Sequence, residues 1–497
     1  MGAGFKEVDT EYSSLVGKYK APSSAWLELI ESELGPDGRK FLCSVLQAHT
    51  NDRGVGDIGS SLQAADGEVL THRRLISRTL HTVFGDILLE RMAYSLPGHE
   101  ALFPLDAALN LPTSSFSAGL QRFVASRVPM NPFSDVLQQI HQMTGVAISR
   151  PQAIEMVQRC AVDFTPFYEI KANETSDGYN HILVLTTDGK GIVMRPDGLR
   201  EETRERAKKA TPAMKKRLAP GEKSNRKRMA QVASIYFIKR FVRTTEEIVD
   251  ELAQKKAQKR RPRPHQKRVW ASVEEDADVV IKALFAEGHK RDPKHRKKWV
   301  VLVDGNKHQL RLVRSLAKAE GVNATVILDI IHVIEYLWDA ARSFHEDKDH
   351  RGCEIWVQGQ MARILDGDAG KVAGTIRLLV AKRKPSEAKS ANAIASARYI
   401  ARHKPYMKYH HYLKSGFPIA TGVIEGACRH LIKDRMDVTG ARWTLDGAEA
   451  VLKLRSLVTS GDFDEYWVFH RQQEHERSHL SMFHDQEQLT KIQKSQI

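Results

Sequence analysis

The stretch from His181 to Met194, HILVLTTDGKGIVM, constrains the fold more than any other. Its first half is mostly apolar or β-branched, and the run ends at Asp188-Gly189. The pattern predicts a buried strand, a turn, and a second strand from Ile192 to Met194. A carboxylate at the tip of an apolar strand is costly unless something cationic holds it. The theme then recurs. WVVLVDGNKHQL predicts a buried strand, Trp299 to Val303, ending at Asp304-Gly305 and followed by a helix from Lys307 to Lys318. NATVILDIIH predicts a strand from Ala324 to Leu328, with Asp329 and His332 where it passes into a helix. MAQVASIYFIKRFV supplies a further strand between these pieces. Three antiparallel strands followed by parallel strands alternating with helices is the order of a ribonuclease-H-like α/β domain.

Around that core the chain divides by pattern. Residues 1–68 are expected to be an N-terminal helical region, with AWLELIESEL capped by Ser23-Ser24 and stopped at Gly35-Pro36. Residues 69–112 alternate and are β-branched in places, which predicts a small β-containing segment. Residues 113–175 return to helix. Within them Thr144-Gly145 breaks one helix, and Ser149, Pro151 and Gln152 open the next with a capping box. The pair resembles a helix-turn-helix, with Pro151 to Cys160 as its recognition helix. Residues 176–339 form the first part of the core, 340–412 an all-helical insertion, and 413–460 the last part of the core. The stretch 461–497 reads as a polar tail that frays from about residue 470.

The chain is 497 residues long and carries a net charge of +15, with a pI near 9.5. Such a balance favours a polyanionic partner, nucleic acid before membrane. Residues 200–268 hold 23 Lys and Arg against eight Asp and Glu, a local excess equal to that of the whole chain. They are expected to form basic loops flanking a core strand, with Arg226, Lys227 and Arg228 among the phosphate contacts. No apolar run is long enough to span a bilayer, and no secretory leader is visible, so a cytoplasmic protein is expected. Four separated cysteines without a CxxC suggest neither a disulfide framework nor a zinc ribbon.

Asp188 and Asp304 each end a predicted strand, and Glu425 opens a helix in a Gly-flanked segment. Three hard oxygen ligands on one core suit Mg²⁺ or Mn²⁺. Two such ions would serve phosphodiester transfer by activating a hydroxyl and stabilising the leaving oxygen. Asp329, which also ends a strand, is the alternative second acid. TTDGKG (186–191), VDGNK (303–307), DIIH (329–332) and GVIEGACRHLIKDRM (422–436), with GARW after it, together resemble the DDE transposases of bacterial insertion sequences, in the Mutator-related branch and close to the Kra type. The resemblance covers roughly residues 70 to 460.

The resemblance implies Asp188, Asp304 and Glu425 as a metal-binding triad, with Asp329 and His332 as the family's C/D-x-x-H motif. It implies an enzyme that binds terminal inverted repeats, cleaves DNA and transfers the strand, working at least as a dimer on DNA. His332 would orient Asp329 or a DNA phosphate. Lys190, Lys307, Arg429, Lys433, Arg435, Arg442 and Trp443 would contact DNA. Relatives often carry paired cysteines where this chain has YSLPGHEALFPLD, so no zinc is expected there. A nuclease without strand transfer and a DNA-binding protein that has lost catalysis are the competing readings.

Overall fold

The computed structural model describes residues 3–20, 24–172, 181–210, 225–252, 260–346, 348–438 and 440–484. The chain folds as two units. One is Lys171–Ser460; the other joins Met1–Ile170 to Gly461–Ile497.

The 171–460 unit is a mixed α/β structure built on five strands. These are β1 (His181–Val193), β2 (Lys227–Lys239), β3 (His265–Ser272), β4 (Lys298–Val303) and β5 (Ala324–Leu328), in the order β3-β2-β1-β4-β5. β1 runs antiparallel to β2, and β2 to β3, whereas β1, β4 and β5 are parallel. Parallel neighbours need crossover connections. Helix α1 (Ala277–Arg291) leads from β3 to β4, and α2 (Lys307–Ala319) from β4 to β5. β1 is central, and Ile182, Leu183, Val184 and Leu185 are fully buried, as expected of a strand covered on both faces.

Two strand expectations need correction. Asp188-Gly189 is not a turn: β1 runs unbroken from His181 to Val193 and pairs with β2 at every residue. Asp-Gly permits a turn, but an equally long partner strand holds it extended. The third antiparallel strand is β3, which lies in what the charge pattern marked as a basic loop. Its Arg268 is held by Glu287 at 2.6 Å and lies over the Trp270 ring, so the cation does not oppose burial. Helices also occupy Glu201–Lys209 and Thr245–Leu252 of that stretch. The basic runs at 211–224 and 253–259 lie outside the described residues.

After β5, the described residues to 414 are helical: α3 (Ile330–Phe344), α4 (His350–Leu365), α5 (Ala369–Arg383), α6 (Glu387–His403) and a short turn, Tyr409–Lys414. They look polar in sequence, yet Leu337, Met361, Ile376 and Ile400 close one core with Val184 and Leu302 of the sheet. The chain then enters a helical run, Gly422–Met436, whose middle, Cys428–Lys433, is a π-helical turn. Helix Leu445–Ser460 packs on β3, where Glu449 accepts bonds from the Ser272 hydroxyl and the Val273 and Glu274 amides.

The other unit holds paired helices, Ala3–Lys20 and Leu27–Asp52, and a hairpin, His72–Thr82 with Gly85–Ser95. Gly35-Pro36 does not end the second helix, which passes through it. Phe133–Thr144 ends at Gly145 in the left-handed region, and Arg150–Arg159 starts at Ser149 with both bonds of the capping box in place. The expected frayed tail is instead a helix, Phe463–Ser478. Phe463, Tyr466, Trp467 and His470 recur at helical spacing and are buried. No helix among the described residues is long and apolar enough to cross a membrane.

That terminal helix is tied in by charge. Buried Asp163 accepts from His470 at 2.7 Å and from Arg477 at 3.0 and 3.2 Å. Burial opposes the Asp163 carboxylate, but these donors outweigh it and lower its pKa. A lowered carboxylate pKa contributes stability above the ordinary carboxylate range, and that stability is lost on acidification through the folded value. Asp163→Asn is expected to cost about 3 kcal/mol at pH 7. Thermal melts at pH 7 and pH 2 should show a smaller difference between the two proteins at the lower pH, which lies below the ordinary carboxylate range.

Candidate active site

The sheet register places three acids side by side. β1 and β4 are paired up to Thr186 and Leu302, and β4 and β5 up to Val303 and Leu328. Carried one or two residues further, the same register sets Asp188, Asp304 and Asp329 in one row at the carboxyl ends of three parallel strands. That edge is where α/β sheets bind ligands. Asp188 lies just past the last parallel pair, where β1 is held only by β2.

The three carboxylates are held differently. Asp188 is half-buried; it accepts the Gly189 amide at 2.6 Å on one oxygen and the Cys428 thiol at 3.2 Å on the other. Burial and Asp188 itself push the Cys428 pKa up, which keeps the thiol a donor. Asp304 is half-buried and accepts the Asn306 amide at 2.8 Å on one oxygen. Its carbonyl accepts the Tyr399 hydroxyl at 2.8 Å. Gly305 follows with φ +91°, and a Cβ there would meet that hydroxyl at 2.6 Å, so glycine is required. Asn306 then caps α2 through the His308 amide.

Asp329 is fully buried. One oxygen accepts the Ile331 amide at 2.8 Å, capping α3; the other accepts the hydroxyl of Thr421 and its amide at 3.3 Å. The Ile330 amide donates to Ile419 at 2.9 Å. Burial raises the Asp329 pKa against these donors. Asp329 therefore fastens the segment that leads into the Glu425 helix.

Glu425 lies one turn beyond Thr421 and is exposed. Its pKa is raised by what burial it has and by the Asp329, Glu335 and Asp188 carboxylates, against the pull of His332. His332 bonds Glu335 at 3.0 Å. Burial disfavours its cation, but that bond and the Asp329, Glu335 and Asp304 carboxylates win, and its pKa is raised. Asp304, His332, Glu335 and Tyr399 line a cleft of about 440 Å³, while Glu425 lines a neighbouring pocket of about 390 Å³ with Tyr236, Ile330 and Phe417. As the side chains stand, no three His, Cys, Asp or Glu among the described residues converge closely enough to hold an ion. The donor chemistry nonetheless suits a hard cation, which would relieve the mutual repulsion that raises Glu425.

Of the expected DNA contacts, Lys190, Arg226, Lys227, Lys307, Arg429, Lys433 and Arg442 are exposed. Lys227 pairs with Asp437 at 3.5 Å and Arg429 with Asp434 at 3.6 Å. Three others are committed to the fold. The Arg228 guanidinium is bonded to the carbonyls of Val273, Gly198 and Glu274. Arg435 is buried over the Trp443 ring. Trp443 is buried, donates to Met436 at 3.0 Å, and is bridged to Met194 at the end of β1. Sequence reasoning missed Cys428, Thr421 and Tyr399. Cys428 carries a signal, standing one helical turn after Glu425; Tyr399 carries none.

Thr421→Val would remove a donor from the buried Asp329 carboxylate, a loss of about 1–3 kcal/mol. The folded pKa of Asp329, already raised, would rise further. The variant's deficit should therefore grow as pH increases through that raised value, and be smallest where Asp329 is protonated. Thermal midpoints of both proteins from pH 4 to pH 9 would reveal the trend.

Compared with protein-family models and with curated proteins, the chain matches none.

Proposed function

We propose that residues 171–460 are the ribonuclease-H-like core of a DDE transposase, carrying an all-helical insertion between β5 and the Glu425 helix. The carrying observation is the row of Asp188 and Asp304 at the carboxyl edge of a sheet ordered β3-β2-β1-β4-β5, with Glu425 fastened beside it through Thr421 and Asp329. Asp304 is the better second ligand. Asp329 is fully buried and both its oxygens accept protein donors, whereas Asp304 is half-buried, lines the open cleft and has one oxygen without a protein donor among the described residues.

Asp188, Asp304 and Glu425 would hold two Mg²⁺ or Mn²⁺ ions, which when bound supply hydroxyl activation and charge neutralisation for phosphodiester transfer. The chain's own groups fix the ligands. Cys428 orients the Asp188 carboxylate, and Tyr399 holds the Asp304 backbone. His332, with its raised pKa, is a proton-bearing donor beside the acids and suits a phosphate oxygen. Exposed Lys190 of β1, Arg429 and Lys433 of the Glu425 helical run, and Arg442 after it suit phosphates. The first step hydrolyses the bond at the element end and frees a 3′-hydroxyl; in the second that hydroxyl attacks a phosphodiester of target DNA and displaces its 3′ oxygen.

The helical pair Phe133–Thr144 and Arg150–Arg159 presents Arg150, Gln152, Glu155 and Arg159 to solvent, a face suited to reading the terminal inverted repeats. A reaction joining two ends needs at least a dimer on DNA, and a bacterial cytosol is the fitting compartment.

The test uses purified protein, Mn²⁺ and a labelled duplex carrying the end of the encoding element. Asp188→Asn, Asp304→Asn and Glu425→Gln should each lower cleavage and joining by roughly 10²–10³-fold or more, with DNA binding retained. Cutting without joining would turn the reading to a nuclease. Binding without any cutting by the wild type would sink the enzyme altogether.

A further inference from the structure

Helix α2 starts three residues after Asp304. Lys307, Arg311, Arg314 and Lys318 occupy positions i, i+4, i+7 and i+11, one stripe of that helix. All four are exposed, and the buried face is made by Leu310, Val313 and Ala317. Like charges at this spacing repel. No carboxylate among the described residues is paired with any of them, and Glu320 at the helix end is taken by His289 at 2.7 Å. Arg402 of α6 is likewise exposed and has no such partner among the described residues. Together these five cations line a groove of about 520 Å³ that contains no acid. Two neighbours aim the guanidiniums: Arg314 donates to the Tyr406 hydroxyl at 3.1 Å, and Arg311 bonds His308 at 3.2 Å.

We infer that this groove holds a nucleic-acid backbone, the strand that leads away from the phosphodiester at the acid row. Charge complementarity commits it to a polyanion. Length commits it to a strand: at about 1.5 Å per residue the stripe runs some 16 Å, the axial length of four or five nucleotides at about 3.4 Å each. Position ties it to the chemistry. His403, which lines the groove, lies one turn from and against Tyr399, which lines the Asp304 cleft and whose hydroxyl holds the Asp304 carbonyl. Apart from Lys307, these cations lie outside every motif that suggested DNA contact from sequence.

The inference rests on the transposase reading, and the two fail separately. The full chain and its Arg311→Gln, Arg314→Gln, Lys318→Gln, Arg402→Gln quadruple variant would be titrated with a fluorescein-labelled 40-base-pair duplex of the element end, and with a scrambled duplex, across a range of salt. Each phosphate that is no longer neutralised by a cation lowers the slope of log K against log salt by about 0.7–0.9. The variant's slope should fall by about three on both duplexes alike, because phosphates carry no sequence, with its melting temperature unchanged. A slope that stays within one unit of the wild type overturns the groove, as does a weakening confined to the matched sequence. Wild-type binding to poly-glutamate that the variant loses, with the DNA slope intact, also overturns it in favour of an acidic protein segment. Absence of cleavage by the wild type removes the transposase reading and leaves the slope to judge the groove.

Discussion

A single buried carboxylate joins parts of the 171–460 unit that the chain keeps far apart. Asp329 ends β5, caps α3 and accepts two bonds from Thr421, 92 residues later. An ionised carboxylate in that position is costly unless its lone pairs are filled, and here backbone amides and a hydroxyl fill them. The end of a strand, the start of a helix and the approach of Glu425 are therefore set by one group. Disturbing any one of its donors disturbs all three, which gives the Asp-x-x-His segment a role that differs from metal binding.

The acid row also explains the pattern of charge around it. Burial together with Asp329, Glu335 and Asp188 raises the pKa of Glu425, and the Glu335 bond with the Asp329 and Asp304 carboxylates favours a protonated His332. The surroundings answer with cations that are mostly exposed, on β1 and β2, on the Glu425 helix and along α2. A phosphate chain laid against such a surface would be attracted by the periphery and repelled by the acids at the centre unless cations sat among them. The net charge of +15 is thus a sum of opposites.

Much of this was legible in the sequence where the pattern was local. The apolar runs before Asp304 and Asp329 gave the parallel strands because both are short, buried and bounded by turn residues. Ser149 and Gln152 marked a helix start because a capping box needs only four consecutive positions. The reading failed where a partner far along the chain decided the outcome. Asp188-Gly189 looks like a turn until β2 is laid beside it. HQKRVWAS looks like a loop until Glu287 neutralises Arg268. Arg228, Arg435 and Trp443 look available until the carbonyls and rings that occupy them are seen. Cys428 and Asp188 stand 240 residues apart, a distance no spacing rule spans. The helix Phe463–Ser478 is a different failure: its apolar spacing was present, but diluted by charge on every other face.

The division of the chain has a consequence for its synthesis. The 171–460 unit is contiguous, whereas the other unit is completed only by residues after 460. Phe167, Tyr168 and Asp163 emerge from the ribosome some 300 residues before Tyr466, Asp462 and His470, which cover or bind them. The unit that begins first therefore finishes last, and its unfinished apolar face waits in the cell while an entire second domain is translated and folds. A nascent chain halted near residue 460 would carry a complete sheet and acid row, yet its first domain would lack the closing helix and leave Phe167, Tyr168 and Asp163 without the partners they have in the finished fold.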